Sequence, residues 1–508
     1  MRCVHHNKIV RVHRKEPPPM SFETLGFFAL FIAALLLYYA VPKPLKNYAL
    51  LAAALIFYSS AGLGYIILLC VVILTSFAFM HLISSAKTQS GRKSLLAAAL
   101  IVLFANLAFF KYYNLFGKAL MQAVFKMGLP VLLPDSGLLM PLGISFYTFT
   151  VAGGLIDVYR KKTPPQKSLL SYAAFVSFFP LIASGPIERA ANIVPQLEAP
   201  VKFNYDNFAN GASRILWGFF KKYVVANTIA TAVNGVYSNL AGFSAPYIIF
   251  ATLCYSYQLY CDFSGYSDIA IGVAETFGIK VMENFARPFA AHTFSDLWRR
   301  WHISLTSWLR EYLYFPLGGS RKGKARAVLN QVIVFTVSGM WHGATLSFVI
   351  WGVLNGAYLV IGKETAAIRD KFTARNVFYK NKHVKNIIQT VIVYLLFTSC
   401  IVFFRANTLQ DAAYVYTHLF TGWEILLHPA QAFGVYKTVL SGTSTLLLLL
   451  CIPFAEIIEW LAARKSLANG AYIRSLKAPA KIAIFYVQLA ALAFFGVLGS
   501  SSFIYFQF

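Results

Sequence analysis

Two histidines, His302 and His342, each directly after a tryptophan, are the residues of this chain best suited to chemistry. A neutral imidazole near pH 7 can take a proton from a hydroxyl, so general-base attack by an alcohol is the reaction they would serve. His342 lies between Trp341 and Gly343 at the end of an apolar run. Ionisable groups at membrane depth are costly and are kept mainly for function. His302 belongs to the stretch 298–319, dense in aromatic and basic residues. From pattern alone, a core histidine held by a neighbouring hydroxyl fits it equally well.

A third polar patch runs from Gln258 to Asp268 and continues through Asn284, Arg287 and Pro288. Asp262 and Asp268 either orient a histidine or line a polar channel, or else pair with the arginines of 287–310 to hold the frame. No nucleophile elbow, P-loop, dinucleotide fingerprint or H-E-x-x-H zinc motif is present. His292, His302 and His342 are too widely spaced to suggest a metal centre, and none is expected.

The elements that must position these residues are membrane helices. Only 13% of the 508 residues are charged and mean hydropathy is +0.60, against about 25% charged in a soluble domain. The net charge of +26 would suggest nucleic acid in a soluble chain. Here Lys and Arg sit in short loops between apolar runs, as the positive-inside rule expects. The six cysteines lie mostly in apolar runs and form no C-x-x-C pair, so they read as small buried hydrophobes. Residues 1–19 are expected to be a disordered tail or sequence upstream of a true start at Met20, with 20–508 one membrane domain.

Candidate spans fall at about 22–41, 48–61, 64–84, 95–110, 138–158, 223–240, 247–275, 327–341, 346–361, 386–404, 441–461 and 482–500; several are shorter than the ~20 residues of a perpendicular helix, which leaves re-entrant segments open among them. The basic loops, with Lys221-Lys222 counted among them, then share the cytoplasmic side. Lys111, Lys118 and Lys126 fall on the wrong side. Segment 172–187, broken by Pro180, Gly185 and Pro186, reads as re-entrant, because irregular backbone at membrane depth must be buried in protein or line a cavity, or equally as an ordinary kinked or interfacial segment. Residues 298–312, taken as one helix, place Trp298, Trp301, His302, Leu305, Trp308, Leu309 and Tyr312 within an arc of roughly 120°. Arg299, Arg300 and Arg310 fall outside it. This predicts an amphipathic cytoplasmic-side helix. The two histidines are then expected at opposite mouths of the membrane, or along one path through it, and each preceding tryptophan is expected to support packing.

The stretches LYCDFSGYSDIAIG (259–272), ENFARPF (283–289), LWRRWHISLTSWLREYLYFPLGGSRKG (297–323) and SGMWHGATLSFVIWG (338–352) resemble the membrane-bound O-acyltransferase superfamily. FPLIASGPI (179–187) and SSFIYFQF (501–508) resemble its bacterial alginate O-acetylation branch. The resemblance implies an all-α polytopic fold, a ring of roughly 11–12 transmembrane helices with re-entrant and amphipathic helices around a central tunnel. It implies transfer of an acyl group, usually acetyl, to hydroxyls of an extracytoplasmic polymer. His342 matches the family's catalytic histidine and His302 a second functional position. No bound cofactor is implied; acyl-CoA or another thioester would be the donor. Arg299, Arg300, Arg310, Arg321, Lys322 and Lys324 would hold donor phosphates or, equally well, lipid headgroups. Asp262, Asp268, Asn284 and Trp341 are further candidates for substrate contact. Expected partners are membrane lipid and extracytoplasmic acetyl-relay or polysaccharide-modifying proteins, in the cytoplasmic (inner) membrane. The acceptor is open between alginate, another exopolysaccharide and peptidoglycan. A transporter or export subunit is the rival of another class.

Overall fold

The computed structural model describes residues 19–126, 140–375, 379–497 and 503–504, so the expected tail, 1–19, lies outside the described residues except for Pro19. Those described residues are helical, with no strand among them. In chain order the helices are α1 (Leu25–Ala40), α2 (Lys46–Ser59), α3 (Leu63–Ser85), α4 (Gln89–Lys126), α5 (Ile144–Tyr159), α6 (Leu169–Val176), α7 (Ala190–Glu198), α8 (Tyr205–Phe219), α9 (Asn227–Tyr237), α10 (Ala245–Thr276), α11 (Phe294–Arg300), α12 (Ile303–Leu309), α13 (Lys324–His342) and α14 (Leu346–Glu364). They continue with α15 (Ala366–Arg375), α16 (Lys382–Arg405), α17 (Leu409–Thr417), α18 (Pro429–Val439), α19 (Gly442–Arg464), α20 (Asn469–Ser475) and α21 (Ala478–Phe495). Among the described residues six helical stretches are long and apolar enough to cross a membrane: α3, Gln89–Tyr113 of α4, α14, α16, α19 and α21. Two shorter apolar helices, α1 and α5, accompany them. Large apolar side chains such as Leu25, Ile67, Ile101, Leu395, Leu449 and Phe494 are exposed on the outer surface. Water would penalise that surface; hydrocarbon does not. The chain is a multi-pass membrane protein.

The interior divides into two cores. One gathers α1–α7 with the second half of α10 (Phe263, Tyr266, Ile269) and with Leu305, Trp308 and Leu309 of α12. The other gathers α8, α9, the first half of α10 (Tyr255, Leu259, Tyr260), α11, α14, α16 and α19–α21. They meet along α10, the α11–α12 junction and α13, which gives Val334 and Trp341 to the first core and Phe335 to the second.

Helices α8 and α10 approach through glycines. A Cβ on Gly218 would lie 2.6 Å from the Gly265 carbonyl oxygen, and one on Gly272 would lie 2.7 Å from that of Gly211. Backbones this close are the usual result of small residues at a membrane helix interface. A π turn, Phe220–Ala226, joins α8 to α9 without a break. Lys221 and Lys222 therefore belong to no loop, contrary to the charge-based reading. The wider turn directs both side chains into the protein, where both are buried.

Segment 171–188 is buried throughout, a short helix followed by tight turns. Its irregular backbone is surrounded by protein, as the re-entrant reading requires.

Candidate active site

The expected single helix 298–312 does not form. Helix α11 ends at Arg300, Trp301 is extended, and His302 takes a left-handed backbone (φ 45°) before α12 begins. The aromatic arc is thereby split: Trp298 and Trp301 enter one core, Leu305, Trp308 and Tyr312 the other. One straight helix could not serve two cores that diverge at this point. A non-glycine residue with positive φ costs energy and persists only where its surroundings enforce it. The enforcing segment is 284–287. The Ala286 amide donates to the Arg300 carbonyl (2.9 Å), and the Ile303 amide donates to the Asn284 carbonyl (2.9 Å). Asn284 Oδ1 accepts from the Ser304 amide (3.3 Å) and Ser304 Oγ (2.9 Å), and lies 3.2 Å from His302 Nδ1. Its Nδ2 donates to Ser267 Oγ on α10 (3.1 Å).

His342 ends α13, and the two rings lie edge-to-face with centroids 6.4 Å apart and planes at 84°. They do not occupy opposite mouths of the membrane. The end of α13 meets the α11–α12 break at the seam between the cores, so two positions forty residues apart form one site. Both are buried, His302 at 1% and His342 at 5% exposure. His342 packs among Trp341, Trp351 and Phe404, with centroids 4.9, 4.9 and 5.6 Å away. Its Nδ1 is 2.7 Å from the Ser338 carbonyl oxygen. A carbonyl only accepts, so Nδ1 carries the proton and Nε2 the lone pair of a base.

The carbonyls that end α13 have partners from α4: Lys111 donates to Trp341 O, and the Tyr112 hydroxyl to Met340 O (2.7 Å). A cation at a helix C-terminus also opposes the negative end of its dipole. The misplaced Lys111 is thus a cap on the helix that presents His342. Lys118 and Lys126 lie further along α4. Trp341 donates from Nε1 to Ser145 O (3.2 Å) and packs against Phe146, Phe149 and His302. Trp301 packs against Phe285 and Phe397. Both tryptophans support the site by packing.

The carboxylates have partners other than the expected arginines of 287–310. Asp262 pairs with Lys222 and accepts from the Ile504 amide (3.0 Å). Asp268 pairs with Arg214 (2.8 Å) and Lys221 (2.7 Å). Lys221 also reaches Glu459 (3.3 Å), which accepts from the Tyr260 hydroxyl (2.6 Å). Arg214 and Glu459 are not singled out from sequence, and Lys221 and Lys222 are read there as a basic loop, although a charge inside an apolar stretch is the signal that marks all four. A cavity of about 390 Å³ borders this network and reaches Arg287, Arg300 and Asn284. Within it Asp268 is held by two cations and Asn284 by His302 and two serines.

The basic candidates separate. Arg310 and Arg321 join Arg160 and Lys162 around an open cleft of about 610 Å³, with Ser307 and Glu311. Two loops that charge places on one membrane face thus meet. Helix α12 and its π turn (Arg310–Tyr314) lead from His302 to this cleft, roughly 12 Å of rise from His302 to Arg310. The Trp308 Nε1 donor to Phe149 O (2.8 Å) and the Tyr312 hydroxyl donor to Asp157 (2.8 Å) pin that path to α5. Burial pushes the Glu311 carboxyl up, but the hydrogen bond and charge of Lys162, with Arg189 beyond, bring it below its ordinary value. Arg300 pairs with Asp296 (3.0 Å) and Lys324 with Glu364, while Arg299 is exposed; none of the three lines the cleft. His292 is exposed beside Thr390, away from the pair.

The sequence profile of the MBOAT, membrane-bound O-acyltransferase family, matches residues 143–405, which span α5 to α16 and include both histidines. The chain is 34% identical over 412 residues to the probable alginate O-acetylase AlgI of Pseudomonas syringae pv. tomato, covering 80% of this chain and 76% of that one. It is 35% identical over 428 residues to the probable alginate O-acetylase AlgI of Pseudomonas putida, covering 83% and 85%. It is 32% identical to the peptidoglycan O-acetyltransferase of Helicobacter pylori, covering 77% and 76%. A pair of buried histidines inside the matched region, and relatives aligned over most of both chains, make this protein a member of the membrane-bound O-acyltransferase family, and an acyltransferase.

Proposed function

We propose that the protein moves an acetyl group from a cytoplasmic-side thioester to hydroxyls of an extracytoplasmic polysaccharide of the alginate type, in the cytoplasmic membrane, directly or through a relay protein. The observation that carries this reading is the buried pair, with His342 held by Ser338 so that Nε2 is the base. His342 Nε2 takes the hydroxyl proton as that oxygen attacks the thioester carbonyl. The C–O bond forms, the C–S bond breaks, and the proton passes to the departing thiolate. Arg160, Lys162, Arg310 and Arg321 hold the donor's phosphates at the cleft, leaving the acyl end to follow α12 inward. Arg299, Arg300, Lys322 and Lys324 have no part in that cleft. Asp262 and Asp268 act on the frame, through their cations, and not on substrate.

The test is acetyl content of the cell's polymers, by mass analysis, with wild type and with His342→Ala at equal membrane insertion. Loss of acetyl in the variant is expected. Retained acetylation by a normally inserted His342→Ala removes His342 from the chemistry. The identity to a peptidoglycan O-acetyltransferase favours a second acceptor, the cell-wall polymer; acetyl lost from peptidoglycan and not from exopolysaccharide selects it.

A further inference from the structure

We propose that Asn284 is the positioning residue of His302, holding it as the Nδ1–H tautomer with the lone pair on Nε2. The argument rests on hydrogen-bond logic. One oxygen, Asn284 Oδ1, faces the Ser304 amide, Ser304 Oγ and His302 Nδ1. A backbone amide only donates, so the atom facing it is the carboxamide oxygen and not the nitrogen. The Nδ2 end is occupied by Ser267 Oγ, which accepts. The amide therefore cannot be reversed without setting N–H against N–H. His302 Nδ1, sharing that oxygen, must be a donor. Asn284 is 1% exposed and its own carbonyl takes the Ile303 amide, so the backbone that carries the ring and the ring itself are held from one residue.

The consequence concerns the role of His302. A neutral imidazole that donates from Nδ1 has no N–H at Nε2. It therefore cannot stabilise an oxyanion by donation; it accepts, and so orients an O–H group. His342 is fixed in the same tautomer by Ser338. Both histidines of the pair then carry the lone pair on Nε2. Asn284, named from sequence as a substrate contact, instead acts through His302. Only the kinetic arm of the test rests on the acyl-transfer reading.

Full-length protein labelled with ¹⁵N-histidine, in lipid bilayers, is examined by solid-state NMR, with His302 assigned by its loss in His302→Gln. The expected wild-type spectrum shows His302 protonated at Nδ1. Asn284→Asp keeps the acceptor and the tautomer; Asn284→Ala releases it to a mixture. Acetyl transfer per inserted molecule, read as polymer acetyl content, falls by about tenfold or more in Asn284→Ala, since a His302 in the wrong tautomer no longer orients the hydroxyl. Asn284→Asp restores it, and Asn284→Ala adds no further loss on top of His302→Gln, because the two act as a unit. An Nε2–H form in the wild type overturns the proposal. So does an unchanged Nδ1–H signal in Asn284→Ala, or an additive loss in the double variant. Should Asn284→Ala fail to insert, the wild-type and Asn284→Asp spectra decide. An Nδ1–H signal together with a fully active His302→Gln sustains the assignment and removes His302 from catalysis.

Discussion

Gly218→Ala tests how closely the site depends on the spacing of α8 and α10. The new Cβ would lie 2.6 Å from the Gly265 carbonyl oxygen and 3.0 Å from the Ile269 amide nitrogen. Ordinary contact begins near 3.4 Å, so the helices must part by about 0.8 Å. Three residues on, Lys221 is 2.7 Å from Asp268, and the same opening would take that ion pair to about 3.5 Å. Over-packing alone costs about 1–3 kcal/mol. Weakening a buried ion pair adds to it, since complete loss of one partner costs about 3–5 kcal/mol. The expected total is about 2–4 kcal/mol. Unfolding in micelles can be followed with a thiol-reactive fluorogenic dye, because Cys261 and Cys400 are fully buried until the fold opens. Gly235→Ala is the control: nothing lies within 4 Å of a Cβ there, so helix propensity should raise stability by up to about 1 kcal/mol. A Gly218→Ala protein that melts with the wild type, while the control behaves as expected, would refute the close-approach reasoning.

Lys111→Met removes the cation that caps α13; acetyl transfer should fall with a stability loss of about 1 kcal/mol, and a silent variant would separate Lys111 from the presentation of His342. Glu459→Leu removes one of the two carboxylates that hold Lys221 and should lower stability by about 3 kcal/mol, measured by the same dye. Gly339→Ala would drive a methyl into the Phe348 carbonyl; a shift of about 1 Å at the neighbouring His342 should cost roughly a hundredfold in acetyl transfer at near-normal insertion. For Glu311 the folded-state carboxyl lies below its ordinary value of 4.5. Its stabilisation is therefore present above that value and is lost as pH falls below it through the folded-state value. The gap in melting midpoint between wild type and Glu311→Gln should be full at pH 7 and close on acidification; a gap that widens would contradict the sign.

The division between what could be read early and what could not follows from locality. Apolar runs and their flanking charges fix a membrane fold one segment at a time, because each span must satisfy its own backbone in hydrocarbon. The buried, broken segment 171–188 was legible for the same reason. Trp341-His342-Gly343 at the end of an apolar run marked a costly ionisable group, but not that it lies beside His302. Lys221 and Lys222 were misread because charge beside an apolar run looks the same in a loop and in a π turn. The continuous helix through 298–312 was misread because its 3.6-residue period persists across a break made by Asn284, a residue outside the segment.

Residue types and their spacing by themselves determined a helical membrane chain with His302 and His342 as its two chemically apt residues; acyl transfer followed from the resemblance of the motif stretches to a known family. Only the tertiary structure decided that these two rings lie together, that Lys111 caps the helix ending in His342, that Asp262 and Asp268 are held by lysines and Arg214, and which arginines share a cleft. Each of those facts is a distance between segments far apart in the chain. Such distances are set by how two cores pack against each other, which no local pattern encodes.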